Sequence, residues 1–269
     1  MTLEAAPRRA IIDLRVAFGA ALALLVVTLA LVSLAWTPHG AKLLTPLAEP
    51  DAAHWLGTDA IGRDVASLLM SATLTTLLLA MFGTLASLFI GVPVGAALAI
   101  LRPASSLTTH AVAMLPPALL IGMVVSGLGA PANLTIFLGA VLPGMVIASI
   151  IARRALAPLW HRDYVTAARL AGLRPLAAAQ RHVLPGLLPQ LAALALELLA
   201  VSILVEASLS FAGLGISPPG ASLGLMLREA QQVMAVRPLL VLAPGAVVLG
   251  TVLALMLAAT GLRGVRPGA

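Results

Sequence analysis

The sequence predicts an all-α, polytopic membrane bundle with about six transmembrane helices, and three observations carry that prediction. Hydrophobic residues make up 61% of the 269-residue chain and charged residues only 10%, with a mean hydropathy of +1.08; a soluble domain of this length does not sustain such values. The apolar runs are long and continuous instead of alternating in polarity over about ten residues, which excludes a membrane β-barrel. Aromatics supply only 3% of the chain while Gly (23) and Pro (19) are plentiful, a composition suited to close helix contacts and to helix breaks backed by neighbouring helices.

Composition also removes whole classes of function. Without cysteine there is no disulfide framework, thiolate metal site or cysteine nucleophile. The net charge of +6 and pI near 11.4 fit arginine-rich cytoplasmic loops as well as nucleic acid. With no soluble basic domain to hold it, nucleic acid is set aside as a partner.

The first apolar run, Val16 to Trp36, reaches about 31 Å as a helix, enough for the hydrocarbon core. It follows Arg8, Arg9 and Arg15, as the core of a signal peptide would, but it is longer than a usual signal core and no clear small-x-small cleavage site follows. It is therefore read as an uncleaved first span. Five further runs lie near Leu74 to Leu101, Ala111 to Leu128, Leu134 to Ile151, Leu191 to Phe211 and Leu239 to Leu262. With the N-terminus inside, only Lys42, Arg63, Arg228 and Arg237 of the 16 basic residues fall outside, so the positive-inside bias places both termini in the cytoplasm. Trp36 and Trp160 then mark opposite interfaces.

This topology divides the chain into a cytoplasmic N-terminus (1–15), a first span (16–36), an extracytoplasmic loop (37–73), a core of five further spans (74–262) containing an inner loop (152–190), and a cytoplasmic tail (263–269). A second sizeable outer segment runs from Ala212 to Pro238. No internal repeat of the kind common in secondary transporters is evident.

In the inner loop, His161 to Ala171 is expected to form a short helix. Asp163 in its first turn complements the helix dipole, and Gly172 is a natural C-terminal stop. A second short helix is expected from Leu176 to His182, closed by Pro185. The spacing resembles the EAA loop of ABC importer permeases, in which Glu-Ala-Ala, three residues, Gly, nine residues and Ile-x-Leu-Pro follow one another. Thr166, Ala167 and Ala168 stand for the triplet here, Gly172 holds the glycine position, His182 replaces the isoleucine, and Leu184-Pro185 closes the pattern. The resemblance implies that this helix, with Asp163, Tyr164 and Arg169, docks in a groove of an ATP-hydrolysing subunit and couples its motion to the spans.

The outer stretch HWLGTDAIGRDVASLL, His54 to Leu69, is similar to the pattern that precedes the second span in one permease subunit of dipeptide, oligopeptide and nickel ABC importers. His54, Leu56, Gly57, Thr58, Asp59, Gly62, Arg63 and Asp64 carry it. Physically, Gly57 and Gly62 permit tight turns, Asp59 and Asp64 lie close enough to Arg63 to pair, and either aspartate is placed to cap a helix entering the membrane. Neither a catalytic acid–base role for these groups nor a metal site at His54 is favoured, because no second ligand stands at helical or hairpin spacing. EASLSFAGLGISPP, Glu206 to Pro219, resembles the segment ending the fifth span in the same group. Ala212 replaces a common Leu, and Leu223-Gly224 stands where Trp-Gly is usual. At the C-terminus, Met256, Thr260, Arg263 and Gly264 occupy the region of the family's Asn, Asp and Arg-Asp positions.

Glu197 and Glu206 fall within the fifth apolar run, where an ionisable group is costly and suggests function. They point to different faces; Glu206 is expected near the outer mouth of a pathway, and Glu197 mid-membrane or paired with an arginine of a partner subunit. No P-loop is present, and the single lysine, Lys42, is outside such a motif. No catalytic or metal residues are therefore assigned. What the resemblance implies is a permease subunit that binds no cofactor itself. It would work with a second, homologous permease, two ATP-binding subunits carrying ATP and Mg, an extracytoplasmic substrate-binding protein and surrounding membrane lipid. Short peptides are the first substrate class and chelated nickel the second. A stand-alone proton-coupled carrier using Glu197 and Glu206 is the alternative of a different class.

Overall fold

The computed structural model describes residues 7–35, 45–52, 54–101, 117–160, 162–170, 172 and 184–264. Eight helices are present among them: α1 (Pro7–Ala35), α2 (Val65–Leu101), α3 (Pro117–Gly127), α4 (Ala132–Trp160), α5 (Asp163–Leu170), α6 (Leu184–Phe211), α7 (Leu223–Gln231) and α8 (Leu239–Gly264). Five are long and apolar enough to cross a membrane. The third expected span is represented by α3, while residues 111–116 lie outside the described residues, as does the second short helix expected at 176–182.

Two expectations about element boundaries change. α2 starts at Val65 rather than Leu74, so the segment ahead of it ends at Asp64 and not at Thr73. The polar residues in between do not break the helix because each finds a local acceptor: Ser71 Oγ donates to Leu68 O (3.0 Å) and Thr73 Oγ1 to Leu69 O (2.7 Å). At 37 residues, α2 is about 55 Å long, well beyond a hydrocarbon core of about 30 Å. The segment 212–238, in turn, contains α7, a helix not expected from hydropathy. Ser222 caps it, its side chain accepting from Leu225 N, and Arg228 stands in its last turn, the start and stop chemistry that favours a short helix.

α6 is the central element, packing on α2, α3, α4, α7 and α8, whereas α1 lies at the periphery against α8 and α2. Leu194, Ile203 and Leu209 of α6 are fully enclosed. The most extensive contact joins α2 and α4, which run parallel. Its seam is made of small residues that advance four at a time along both helices: Gly83 faces Ala140, Ser87 faces Gly144, and Gly91 faces Ala148. A Cβ on Gly91 would lie 2.6 Å from that of Ala148, and one on Gly95 would lie 2.2 Å from Ser149 O. Without a hydrophobic driving force between helices in lipid, such close backbone approach supplies the dispersion energy of association. Gly139 likewise abuts Leu209 of α6.

The outward faces remain apolar: Phe89 is 82% exposed, with Leu78, Phe82 and Leu85 along the same helix. This is how a helix apolar all round presents itself to lipid or to a neighbouring subunit. The segment 45–64 and α7 occupy one end of the bundle, and α5 the other.

Candidate functional site

At the first end, the segment 54–64 is a set of interlocked turns. Gly57 has φ +72°, and a Cβ there would lie 2.4 Å from Ala48 O, so only glycine fits the turn. Thr58 is buried; its hydroxyl donates to Thr45 O (2.6 Å) and accepts from Ala48 N (2.8 Å). Leu56 packs beside the core residues. Asp59 Oδ1 accepts from the backbone N–H of Ile61 (2.9 Å) and Arg63 (2.8 Å), an Asx-type turn that Gly62 completes at φ +90°.

Sequence proximity suggested that both aspartates flank Arg63, and the structure divides their work. Asp59 Oδ2 accepts from Arg63 Nε at 2.5 Å. Asp64 instead caps α2, its Oδ2 accepting from Ser67 N (2.9 Å) and Ser67 Oγ (2.6 Å). His54 Nδ1 lies 4.0 Å from Asp64 Oδ1, and His54 N donates to Asp51 Oδ1.

The other hand of Arg63 reaches across the fold, Nη2 donating to Glu229 Oε2 of α7 at 2.5 Å. Burial by itself would lower the pKa of Arg63, but the hydrogen bonds and charges of Asp59 and Glu229 outweigh it, so the guanidinium is held above its ordinary value. A second tie repeats the pattern. Arg237, beyond α7, donates to Glu49 Oε1 (2.9 Å) and Leu47 O (3.0 Å). Residues 45–64 and the α7 region thus form one cap, bordering a cavity of about 240 Å³. Asp59, Arg63 and Glu229 line it together with Val65, Met226 and Leu240.

The two acidic residues of α6 have different fates. Glu206 is fully buried, receiving hydrogen bonds from Thr76 Oγ1 and Ser210 Oγ, each at 2.8 Å. Glu197 pairs with Arg263 of α8 in the same chain at 2.5 Å. The arginine that Glu197 pairs with thus comes from α8 of its own chain.

At the opposite end, α5 is the expected short helix, with Asp163 in its first turn and Tyr164, Ala168 and Arg169 within it. Val165 is fully buried, joining Ala99 of α2, Leu156 of α4 and Leu187 of α6. Asp163, Thr166, Ala167 and Leu170 face outward, Leu170 with 84% of its surface exposed. Gly172 has φ +91° and open space around it. Leu184 and Pro185 form the first turn of α6, where a proline lacks no partner because that N–H is unpaired anyway.

Sequence reasoning missed Glu229, Arg237, Thr76 and Ser210 as partners of the singled-out residues. Ser222 followed by Arg228 was a readable signal for α7; nothing local announced the partners. Among the described residues no three His, Asp or Glu side chains come together as a metal-binding group.

Comparison with known proteins shows the family of the chain. Residues 83–264 match the family described as binding-protein-dependent transport system inner membrane component. The nickel transport system permease protein NikC of Escherichia coli (strain K12) is 30% identical over 252 residues, covering 90% of this chain and 91% of that protein. A putative peptide permease protein of Brucella suis biovar 1 is 34% identical, covering 86% of this chain and 78% of its own. The glutathione transport system permease protein GsiD of Pectobacterium atrosepticum is 31% identical, covering 80% and 72%.

Proposed function

This chain belongs to the inner-membrane components of binding-protein-dependent transport systems, within the peptide and nickel ABC permeases, and from that membership we propose that it imports short peptides as one half of a paired translocation path. The second half is a homologous permease; two ATP-binding subunits supply the energy, and an extracytoplasmic binding protein delivers the substrate. Both termini lie in the cytoplasm, so α5 faces the ATPases and the cap of residues 45–64 with α7 faces the binding protein.

The observation that carries the coupling role is the geometry of α5. One side chain, Val165, is seated where α2, α4 and α6 meet, while Thr166, Ala167 and Leu170 are left outward. Such a helix has a face free for a groove and a knob through which force reaches three long helices at once. When ATP closes its subunits, displacement of α5 rocks α2, α4 and α6 as a packed unit, and the path alternates between sides. The small-residue seam between α2 and α4 gives that unit its rigidity. Thr166 in place of the family's glutamate keeps the register, its hydroxyl bonded to Arg162 O at 3.3 Å.

Peptides come first because relatives named for peptide and glutathione transport match over most of the chain; nickel stands second on the relative named for it. The stand-alone proton carrier loses its support: Glu197 is held by Arg263, and the family works with a binding protein.

The test is affinity purification from native membranes with an ATPase assay of the eluate, comparing wild type with Ala168→Glu and Gly172→Pro. The latter forces φ from +91° towards about −65°. An ATPase and a second permease are expected with wild type and not with the variants. Uptake of labelled dialanine against labelled nickel then separates the substrates. A wild-type chain that purifies alone and transports without nucleotide would refute the reading.

A further inference from the structure

Glu206 is the most enclosed ionisable side chain described, with none of its surface exposed, and among the described residues no cation pairs with it. Its surroundings are nevertheless ordered in one direction. Thr76 Oγ1 of α2 donates to Glu206 Oε2 and itself accepts from Leu223 N, the first residue of α7, at 3.1 Å. Ser210 Oγ donates to Glu206 Oε1 and itself accepts from Ile216 N at 3.2 Å. Each carboxylate oxygen therefore ends a relay that begins on a backbone N–H of the outer segment 212–223.

A hydroxyl has one proton to give. Both hydroxyls give theirs to Glu206, which orients their lone pairs towards the outer backbone. The carboxyl group is in turn faced, through Thr76, by the amino end of α7, whose first N–H groups are unpaired within the helix. Close packing reinforces the arrangement: a Cβ on Gly224 would lie 2.4 Å from Ala207 O, one turn of α6 away from Ser210. The far end of α7 is fastened by the Glu229 to Arg63 ion pair. α7 is thus gripped at both ends, to α2 and α6 by the Glu206 relay and to the outer loop by Arg63.

We propose that Glu206 is a positioning residue for transport: through Thr76 and Ser210 it locks α7, and with it the whole outer cap, onto α2 and α6, so that the cap follows those helices when they move. This rests on the permease reading for its purpose, but the anchoring itself is a property of the single chain. It assigns Glu206 no contact with substrate and no proton transfer.

The natural absence of cysteine makes spin labelling specific. Labels at Gln231→Cys on α7 and Leu78→Cys on α2, both exposed positions, report the α7 to α2 distance by pulsed electron resonance. The measurement uses the co-purified complex in nanodiscs, nucleotide-free and trapped with ATP and vanadate. Wild type is expected to show a single narrow distance in both states. Thr76→Val keeps the shape and deletes the hydroxyl, orphaning a buried acceptor; the ratio of docked to detached α7 should fall about tenfold, seen as a second, longer distance. Glu206→Ala should do the same, and Thr76→Ser should restore the wild-type distribution. A narrow, unshifted distance in Thr76→Val would overturn the proposal. So would a Thr76→Ser distribution as broad as that of Thr76→Val, since packing of the methyl group, not the relay, would then hold α7. A wild-type distance that changes on trapping would show that the cap does not follow α2, which also overturns it. Failure of an ATPase to co-purify would count against the permease reading alone, because the variants still test the anchor in the isolated chain.

Discussion

Substituting Val165 by Ala isolates the anchor of α5 from the exposed face of the helix. Val165 is fully buried among Ala99, Leu156 and Leu187, whereas Asp163, Thr166, Ala167 and Leu170 are exposed. Removing two methyl groups from that site costs about 1.6 kcal/mol at about 0.8 kcal/mol for each buried group of this size. That corresponds to a factor of about fifteen in the equilibrium for local release of α5. Hydrogen exchange of the amides in 163–170, followed by mass spectrometry in detergent, reads this directly, because exchange of a locally opening segment follows its opening equilibrium. Exchange in α5 should accelerate by about that factor, while the α2 and α4 seam is unchanged. The control is Thr166→Ala, whose side chain is exposed and bonds the carbonyl oxygen of Arg162, the residue just before α5; its exchange should stay within about twofold of wild type. If Val165→Ala leaves α5 exchange unaltered, Val165 is not the anchor of α5.

Two further outcomes follow from the packing and the ion pairs. Gly95→Leu puts a side chain where even a Cβ would lie 2.2 Å from Ser149 O, whereas Gly250 has nothing within 4 Å; size-exclusion chromatography in detergent should show loss of monodisperse protein for Gly95→Leu and none for Gly250→Leu. Where residues 45–64 meet α7, Arg63→Ala and Glu229→Ala should each lower the midpoint of thermal unfolding, and the double variant should lose less than the sum of the two. A coupling of about 1 kcal/mol is the expected size for this part-buried pair. The raised pKa of Arg63 means its stabilisation is complete below the unfolded-state value and is lost only as pH rises through the folded one. The Arg63 contribution should accordingly be flat across neutral pH, and a loss of it below neutrality would show that the carboxylates, not the guanidinium, set the limit.

The membrane class, the helical bundle, the turns of residues 54–64 and the short helix α5 were legible in the amino-acid sequence because each depends on chemistry close along the chain. Long apolar runs announce spans, Gly57 and Gly62 announce left-handed turns, Asp59 sits four residues from Arg63, and Asp163 and Gly172 bracket α5. The same locality explains the misreading at Thr73: hydropathy discounts serine and threonine, but their hydroxyls bond to their own helix, so α2 continues from Asp64. Only the tertiary structure decided which partners those residues take. Glu229 lies 166 residues from Arg63 and Arg263 lies 66 from Glu197, separations at which no periodicity connects them. Helices apolar on every side carry no stripe to mark an inner face, so the parallel seam of α2 on α4, the enclosure of Glu206 and the gripping of α7 emerge only when the helices pack, where backbone approach and hydrogen-bond satisfaction, not hydrophobicity, select the contact.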